Sequence, residues 1–243
     1  NEWYVLRLPA IDENGEMLCE ELLSKKNIES LRDLMDEAIF NANYMQQPVD
    51  IKGKLYKSFK TYEGELPRFK EIRNYTDTAD TGSDYLCSIV YGVTFQKEAY
   101  IIDVLYTKDD MSVTEPKTAQ MLHEHQVSMA DIESNNGGMG FARSIERIMR
   151  DEFKTNCTRV NPFHQSKNKQ ARILSNATWV MDHIYFPSNW KDKWTDFYTA
   201  MSEYQREGKN THDDAPDAVT GVAETILDNR EVTVGVNPFR KRK

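Results

Sequence analysis

The chain reads as an α/β protein, with a mixed sheet of three antiparallel strands followed by parallel ones and helices on both faces. Two features predict this. Three strand-like runs, 71–77, 85–95 and 99–106, follow one another closely, and the polar turn Gln96-Lys97-Glu98 joins the last two, as in an antiparallel meander. Beyond them helical periodicity alternates with short strands, the pattern of helices crossing over a sheet.

Taken in order, residues 1–68 read as an arm leading into a core domain. They hold a short apolar run Trp3-Tyr4-Val5-Leu6-Arg7-Leu8, a helix over 28–43, then Gln46-Gln47-Pro48 and an extended stretch around Gly53. The core domain is placed at 69–232. After the meander the periodicity predicts a helix from Pro116 to Gln126, a strand over 129–133 and a long helix over 140–153. A strand near 158–161, a helix over 171–182 and a strand over 183–186, stopped by Pro187, come next. Helices over 190–206 and 214–228 complete the set, with Trp179, Trp190 and Trp194 on helical faces directed to the core. The basic end 233–243, with Arg240-Lys241-Arg242-Lys243, reads either as a phosphate- or partner-contacting arm or as a solubilising tail.

Composition narrows the function classes. A chain of 243 residues, 39% hydrophobic, buries one sizeable core, so one catalytic domain is expected. No apolar run approaches bilayer length and no signal peptide opens the chain; the absent initiator Met reads as a fragment of a longer polypeptide. The 31 Lys and Arg against 39 Asp and Glu give a net charge of −8, which argues against a tight, static nucleic-acid coat. Cys19, Cys87 and Cys157 show no CxxC spacing, so neither a disulfide framework nor a zinc finger is indicated, and a reducing cytoplasm fits.

Three acidic stations stand out: Asp77 at the end of the first meander strand, Glu133 before Ser-Asn-Asn-Gly-Gly, and the cluster His212-Asp213-Asp214-Ala215-Pro216-Asp217. Singly, each has an ordinary explanation. An Asp at a turn start is a turn former, a lone Glu in a polar loop is solvated, and Asp214, Pro216 and Asp217 make a good helix start. Jointly, at strand ends and a helix start with little positive charge in view, they form what hard divalent cations require, because Mg²⁺ takes oxygen ligands. Asp214 and Asp217, three apart, share one helical face; Asp213 adds like charge in the same turn.

Gly137-Gly138-Met139-Gly140 resembles a phosphate loop weakly, since GxxxxGK[ST] is absent and Glu133 at the strand mouth repels a pyrophosphate; the glycines serve a tight turn. His123 and His125, two apart on a helix, make a poor chelate and read as surface residues. His212 reads equally as a phosphate contact or a hydrogen-bonded loop residue. Lys167, Lys169 and Arg172 concentrate cations in an acidic chain and are the best internal candidates for holding a DNA backbone, if they are more than a solvated helix start.

Asp77-x-Ala79-x-x-Gly82-x-Asp84, Glu133-Ser-Asn-x-Gly137-Gly138 and His212-Asp213-Asp214-x-x-Asp217-Ala218, in that order, resemble the nuclease domain of the large terminase subunit of tailed bacteriophages. Asn43-Tyr44-x-Gln46-Gln47-Pro48 looks like the segment joining that domain to a packaging ATPase, whose Walker motifs are absent here. The resemblance implies a ribonuclease H-like fold and an endonuclease that cuts concatemeric double-stranded viral DNA during genome packaging. It implies two Mg²⁺ or Mn²⁺ ions held by Asp77, Glu133, Asp214 and Asp217, with Asp213 less firmly assigned. It also implies as partners the ATPase domain, the small terminase subunit and the portal, in the host cytoplasm at the procapsid. Alternatives are a junction resolvase or transposase-like nuclease of the same fold, and a non-catalytic DNA- or portal-docking module whose acids only cap helices.

Overall fold

The computed structural model describes residues 7–227 apart from 13, 36, 48–52, 80–83 and 209. The run Trp3–Leu6, Pro48 of the arm, Gly82 of the first motif and the basic tail 233–243 lie outside the described residues. Seven strands form one mixed sheet: β1 (Lys60–Tyr62), β2 (Glu71–Asp77), β3 (Leu86–Val93), β4 (Ala99–Thr107), β5 (Met129–Glu133), β6 (Arg159–Phe163) and β7 (Ile184–Pro187). Their spatial order is β1-β7-β4-β3-β2-β5-β6. β2, β3 and β4 pair antiparallel, whereas β5, β6, β7 and β1 join in parallel.

The expected meander is therefore present, and its turn closes through Thr94 N–H donating to the Glu98 carbonyl at 3.0 Å, with Lys97 at φ 63°. β5 and β6 extend the sheet on one edge, so Asp77 and Glu133 end neighbouring parallel strands. β6 carries Pro162, which an outermost strand tolerates because one side of its backbone has no ladder to serve. β1 was not foreseen: three residues, Lys-Thr-Tyr, carry no periodicity, and pairing with β7 alone makes them a strand. The stretch before it also touches the core, with Leu55 N–H donating to the Tyr204 carbonyl at 2.8 Å.

Helices pack on both faces. On one, α5 (Lys169–His183), α7 (Thr195–Glu203) and α8 (Asp214–Leu227) bury Tyr75, Ile89, Ile101, Phe186, Phe197 and Val222. On the other, α3 (Met111–Glu124) and α4 (Gly138–Asp151) bury Leu86, Val90, Leu122, Ile132, Phe141 and Ile145. Trp179 and Trp190 are buried in the first core and Trp194 packs against it. Among the described residues no helix is long and apolar enough to cross a membrane.

Several boundaries differ from the sequence reading. The helix expected over 28–43 is two helices, α1 (Lys25–Leu34) and α2 (Glu37–Asn43), because Met35 takes an extended backbone. α3 begins at Met111, not Pro116: the Asp110 carboxylate accepts from Ser112 N–H at 2.8 Å and caps the helix, leaving Pro116 inside. The helix expected over 190–206 breaks at Trp194 (φ −134°, ψ 63°) into α6 (Trp190–Lys193) and α7. His123 and His125 are half-buried, the former stacked on Phe153 and the latter 3.0 Å from the Asp103 carboxylate.

Candidate metal centre

The acidic stations converge where β2 and β5 end and α8 begins. One carboxylate oxygen each from Asp77, Glu133 and Asp217 lies within 4.8 Å of the other two. Parallel pairing of β2 with β5 brings the first two strand ends together. α8 packs across β2 and β3, which places its first turn over them.

Glycine governs both close approaches. A Cβ on Gly221 of α8 would fall 2.0 Å from the Tyr75 ring of β2, so only glycine lets helix and strand come this near. A Cβ on Gly138 would lie 1.9 Å from the Glu133 carbonyl oxygen, and Gly137 adopts φ 94°. These glycines turn the chain from β5 into α4, as the sequence suggested. Asn135 then fastens the turn to the β6–α5 loop: its amide donates to the Gln165 carbonyl at 2.9 Å and its carbonyl oxygen accepts from Gln165 N–H at 3.1 Å.

Each acid is held. Tyr75 Oη donates to Glu133 Oε1 at 2.5 Å, Arg172 Nη1 donates to Asp217 Oδ1 at 2.9 Å, and Tyr85 N–H donates to Asp214 Oδ2 at 3.0 Å. Lys169 Nζ stands among four carboxylates, 2.9 Å from Asp213, 3.1 Å from Asp214, 3.7 Å from Asp217 and 3.8 Å from Asp77. Asp77 keeps 17% of its side chain exposed and Asp213 45%, while Glu133 and Asp217 are buried.

Electrostatics follow from that crowding. Burial, then the Glu133 charge, push the Asp77 carboxyl well above the ordinary range, with Lys169 opposing. Burial raises Asp217 to about 7, against the pull of Arg172 and Lys169. Burial disfavours the Lys169 ammonium, yet Asp77, Asp217 and Asp214 hold its pKa above the ordinary lysine value. Carboxylates that resist ionising together, presenting oxygen atoms alone, fit a hard divalent cation.

Two expectations need correction. Positive charge is not sparse here: Lys169 and Arg172 sit at the centre, brought in because α5 packs on α8. Arg172, with a side chain 3% exposed, is no surface contact for DNA; it is held by Asp217, by Glu224 at 2.9 Å and by Glu133 at 3.9 Å. Lys167 is exposed, 3.4 Å from Glu224, and His212 sets its ring edge-on to Tyr85 at 5.1 Å. Tyr75, Tyr85 and Glu224 escaped the sequence reading. Glu224 lies seven residues after Asp217 on the same helical face, and Tyr75 two before Asp77 on the same strand face, spacings that could have found both.

Residues 76–184 match the family model described as terminase of bacteriophage T7, ribonuclease H-like domain. These residues form a terminase ribonuclease H-like domain. The match takes in Asp77 and Glu133 and ends before α8. The fold of this terminase domain is shared with the large terminase of a thermophilic bacteriophage, at 14% identity and a TM-score of 0.56, over 84% of this chain and 52% of that one. The chain thus spans about half the length of that relative. Also similar are a mutant nuclease domain of the large terminase subunit gp2 of bacterial virus Sf6, solved with manganese and beta-thujaplicinol (11% identity, TM-score 0.47, 63% of this chain and 88% of that one), and the fowlpox virus Holliday junction resolvase (11%, 0.42, 64% and 99%). Among curated protein sequences none matches.

Proposed function

We propose that this chain is a divalent-metal-dependent endonuclease that hydrolyses phosphodiester bonds of concatemeric double-stranded viral DNA during genome packaging. The observation that carries the reading is the convergence of Asp77, Glu133 and Asp217 at the strand ends of a terminase ribonuclease H-like domain. Asp77, Glu133 and Asp217, with Asp214 beside them and Asp213 at the rim, would hold Mg²⁺ or Mn²⁺, two ions by the family resemblance. Bound there, the cations supply Lewis-acid charge for attack of water on phosphorus.

The chain's own residues set the stage for that chemistry. Tyr75 and Arg172 fix Glu133 and Asp217 through hydrogen bonds and charge, so the acids keep their orientation. The Tyr85 amide fixes Asp214 in the same way. Lys169 offsets part of the acids' charge, which lowers the repulsion felt by an approaching phosphodiester. The exposed Lys167 and the half-buried His212 are assigned to the DNA backbone, with no covalent protein nucleophile needed.

The same reading assigns residues 1–68 as a connecting arm from a packaging ATPase, packed on the core and lending β1 to its sheet, 69–232 as the nuclease unit and 233–243 as a basic tail. Its partners are DNA, that ATPase, the small terminase subunit and the portal, in the host cytoplasm at the procapsid. The deciding experiment is cleavage of supercoiled plasmid in Mg²⁺, Mn²⁺ or EDTA beside Asp77→Ala. Nicking or linearisation that needs the metal and disappears in the variant is expected. Absence of cleavage in every metal, with no metal-induced rise in Tm, would leave the acids a structural role in a docking module, and preference for a four-way junction would make it a resolvase.

A further inference from the structure

Beside the acidic centre, against α7, lies a cavity of about 380 Å³. Tyr85, Tyr106, Tyr204 and His212 supply aromatic walls, and Gln205 and Asn210 an amide side. The walls are built in advance. Tyr85 lies flat on Tyr106 at 4.2 Å, His212 stands edge-on to Tyr85, and Asn210 clasps the Gln205 backbone, accepting from its N–H at 2.8 Å and donating to its carbonyl at 3.0 Å.

Two features describe the occupant. The Tyr106 hydroxyl is buried with no hydrogen-bond partner, a polar atom that a ligand edge can satisfy. Asp196 and Glu203, the latter paired with Lys54 at 2.7 Å, also line the cavity and leave it without a free cation of its own among these side chains, which favours a neutral planar group over a phosphate. Outside, the exposed Lys108 ammonium stands 4.6 Å from the Tyr85 ring centroid, where a neighbouring phosphate can meet it. The cavity is tied to the centre by one residue: Tyr85 lends its ring to the wall and its amide to Asp214.

We propose that this cavity receives one unpaired nucleobase from the DNA strand lying across the acidic centre. The inference rests on the endonuclease reading and deepens it. A base offers a neutral π face for aromatic walls and a polar edge for Tyr106, Gln205 and Asn210. Strand sites where a base leaves the stack at least cost, such as a mismatch or a small bubble, are then the preferred substrates.

The test uses the full chain carrying Asp77→Asn, titrated with a fully paired duplex and with the same duplex bearing a short bubble that contains 2-aminopurine. Tighter binding to the bubble by about tenfold, the scale of one base stacked on an aromatic ring, is expected together with a change in 2-aminopurine emission. Tyr85→Leu should erase both. So should Thr199→Trp, which fills the cavity from an exposed position on α7 and spares the core should Tyr85→Leu fail to fold. Equal affinity for the two duplexes, or a bubble preference that survives Thr199→Trp, overturns the assignment. If the natural chain still nicks plasmid with metal in that case, the endonuclease reading stands without the cavity; if it never nicks, both fall.

Discussion

Replacing Gly221 by Ala tests how tightly α8 and β2 are locked. The new Cβ would meet Tyr75 ring carbons at 2.0, 2.3 and 2.4 Å, where carbon atoms prefer about 3.5 to 4.0 Å. The ring is fully buried and its hydroxyl is bonded to Glu133, so helix and ring must part by roughly 1.5 Å. Overpacking of this kind costs about 1–3 kcal/mol, which for a domain of this size lowers Tm by roughly 2–12 °C. Because α8 carries Asp217 and the ring carries the Glu133 contact, the same displacement opens the carboxylate cluster. Thermal unfolding followed by circular dichroism in EDTA and in Mn²⁺ should therefore show a lower Tm and a smaller metal-induced rise. Gly140→Ala is the matched control, since its Cβ meets nothing within 4 Å and alanine suits a helix better by about 0.5–1 kcal/mol. Its Tm should hold or climb by roughly 1–4 °C. An unchanged Tm and an unchanged metal response in Gly221→Ala would refute the close-packing argument.

Three further outcomes follow from the same centre. Arg172→Ala leaves Asp217, Glu224 and Glu133 without their buried counter-charge and should cost about 3–5 kcal/mol in urea unfolding, part of it recovered by Mn²⁺; full stability in EDTA would contradict this. Burial pushes the Asp217 carboxyl up from the ordinary aspartate value of 3.8 to about 7, so the folded state binds the extra proton between those limits. Metal-free stability should fall as pH rises from about 4 to 7, by up to about 1.4 kcal/mol per unit, and level off above; a rising profile in EDTA would contradict the assignment. Asp213→Asn, at the most exposed of the acids, should retain more metal-dependent nicking than Asp217→Asn; equal loss would place Asp213 inside the centre.

Much of this centre was legible in the chain because acids at strand ends and helix starts announce themselves in order. Asp77, Glu133 and Asp217 needed only the meander and the parallel strand after it to be placed side by side. Lys169 and Arg172 were misread for a definite reason. Sequence shows that cations cluster at the start of α5, but their inward turn depends on α5 packing along α8, a contact between elements far apart. β1 was hidden by brevity, and the breaks at Met35 and Trp194 by helical residues on either side whose periodicity runs across them.

The carboxylates come from the first long strand, from the first strand after the helical crossover and from the last described helix. No contiguous stretch of chain contains a working set, and Gly221 can settle against Tyr75 only after the sheet exists. A polypeptide still emerging from the ribosome, or one whose last helix has come loose, therefore carries a surface of scattered acids that DNA avoids. On the endonuclease reading proposed above, competence to hold ions would arrive only with completion of the fold, and a half-built molecule would leave DNA uncut.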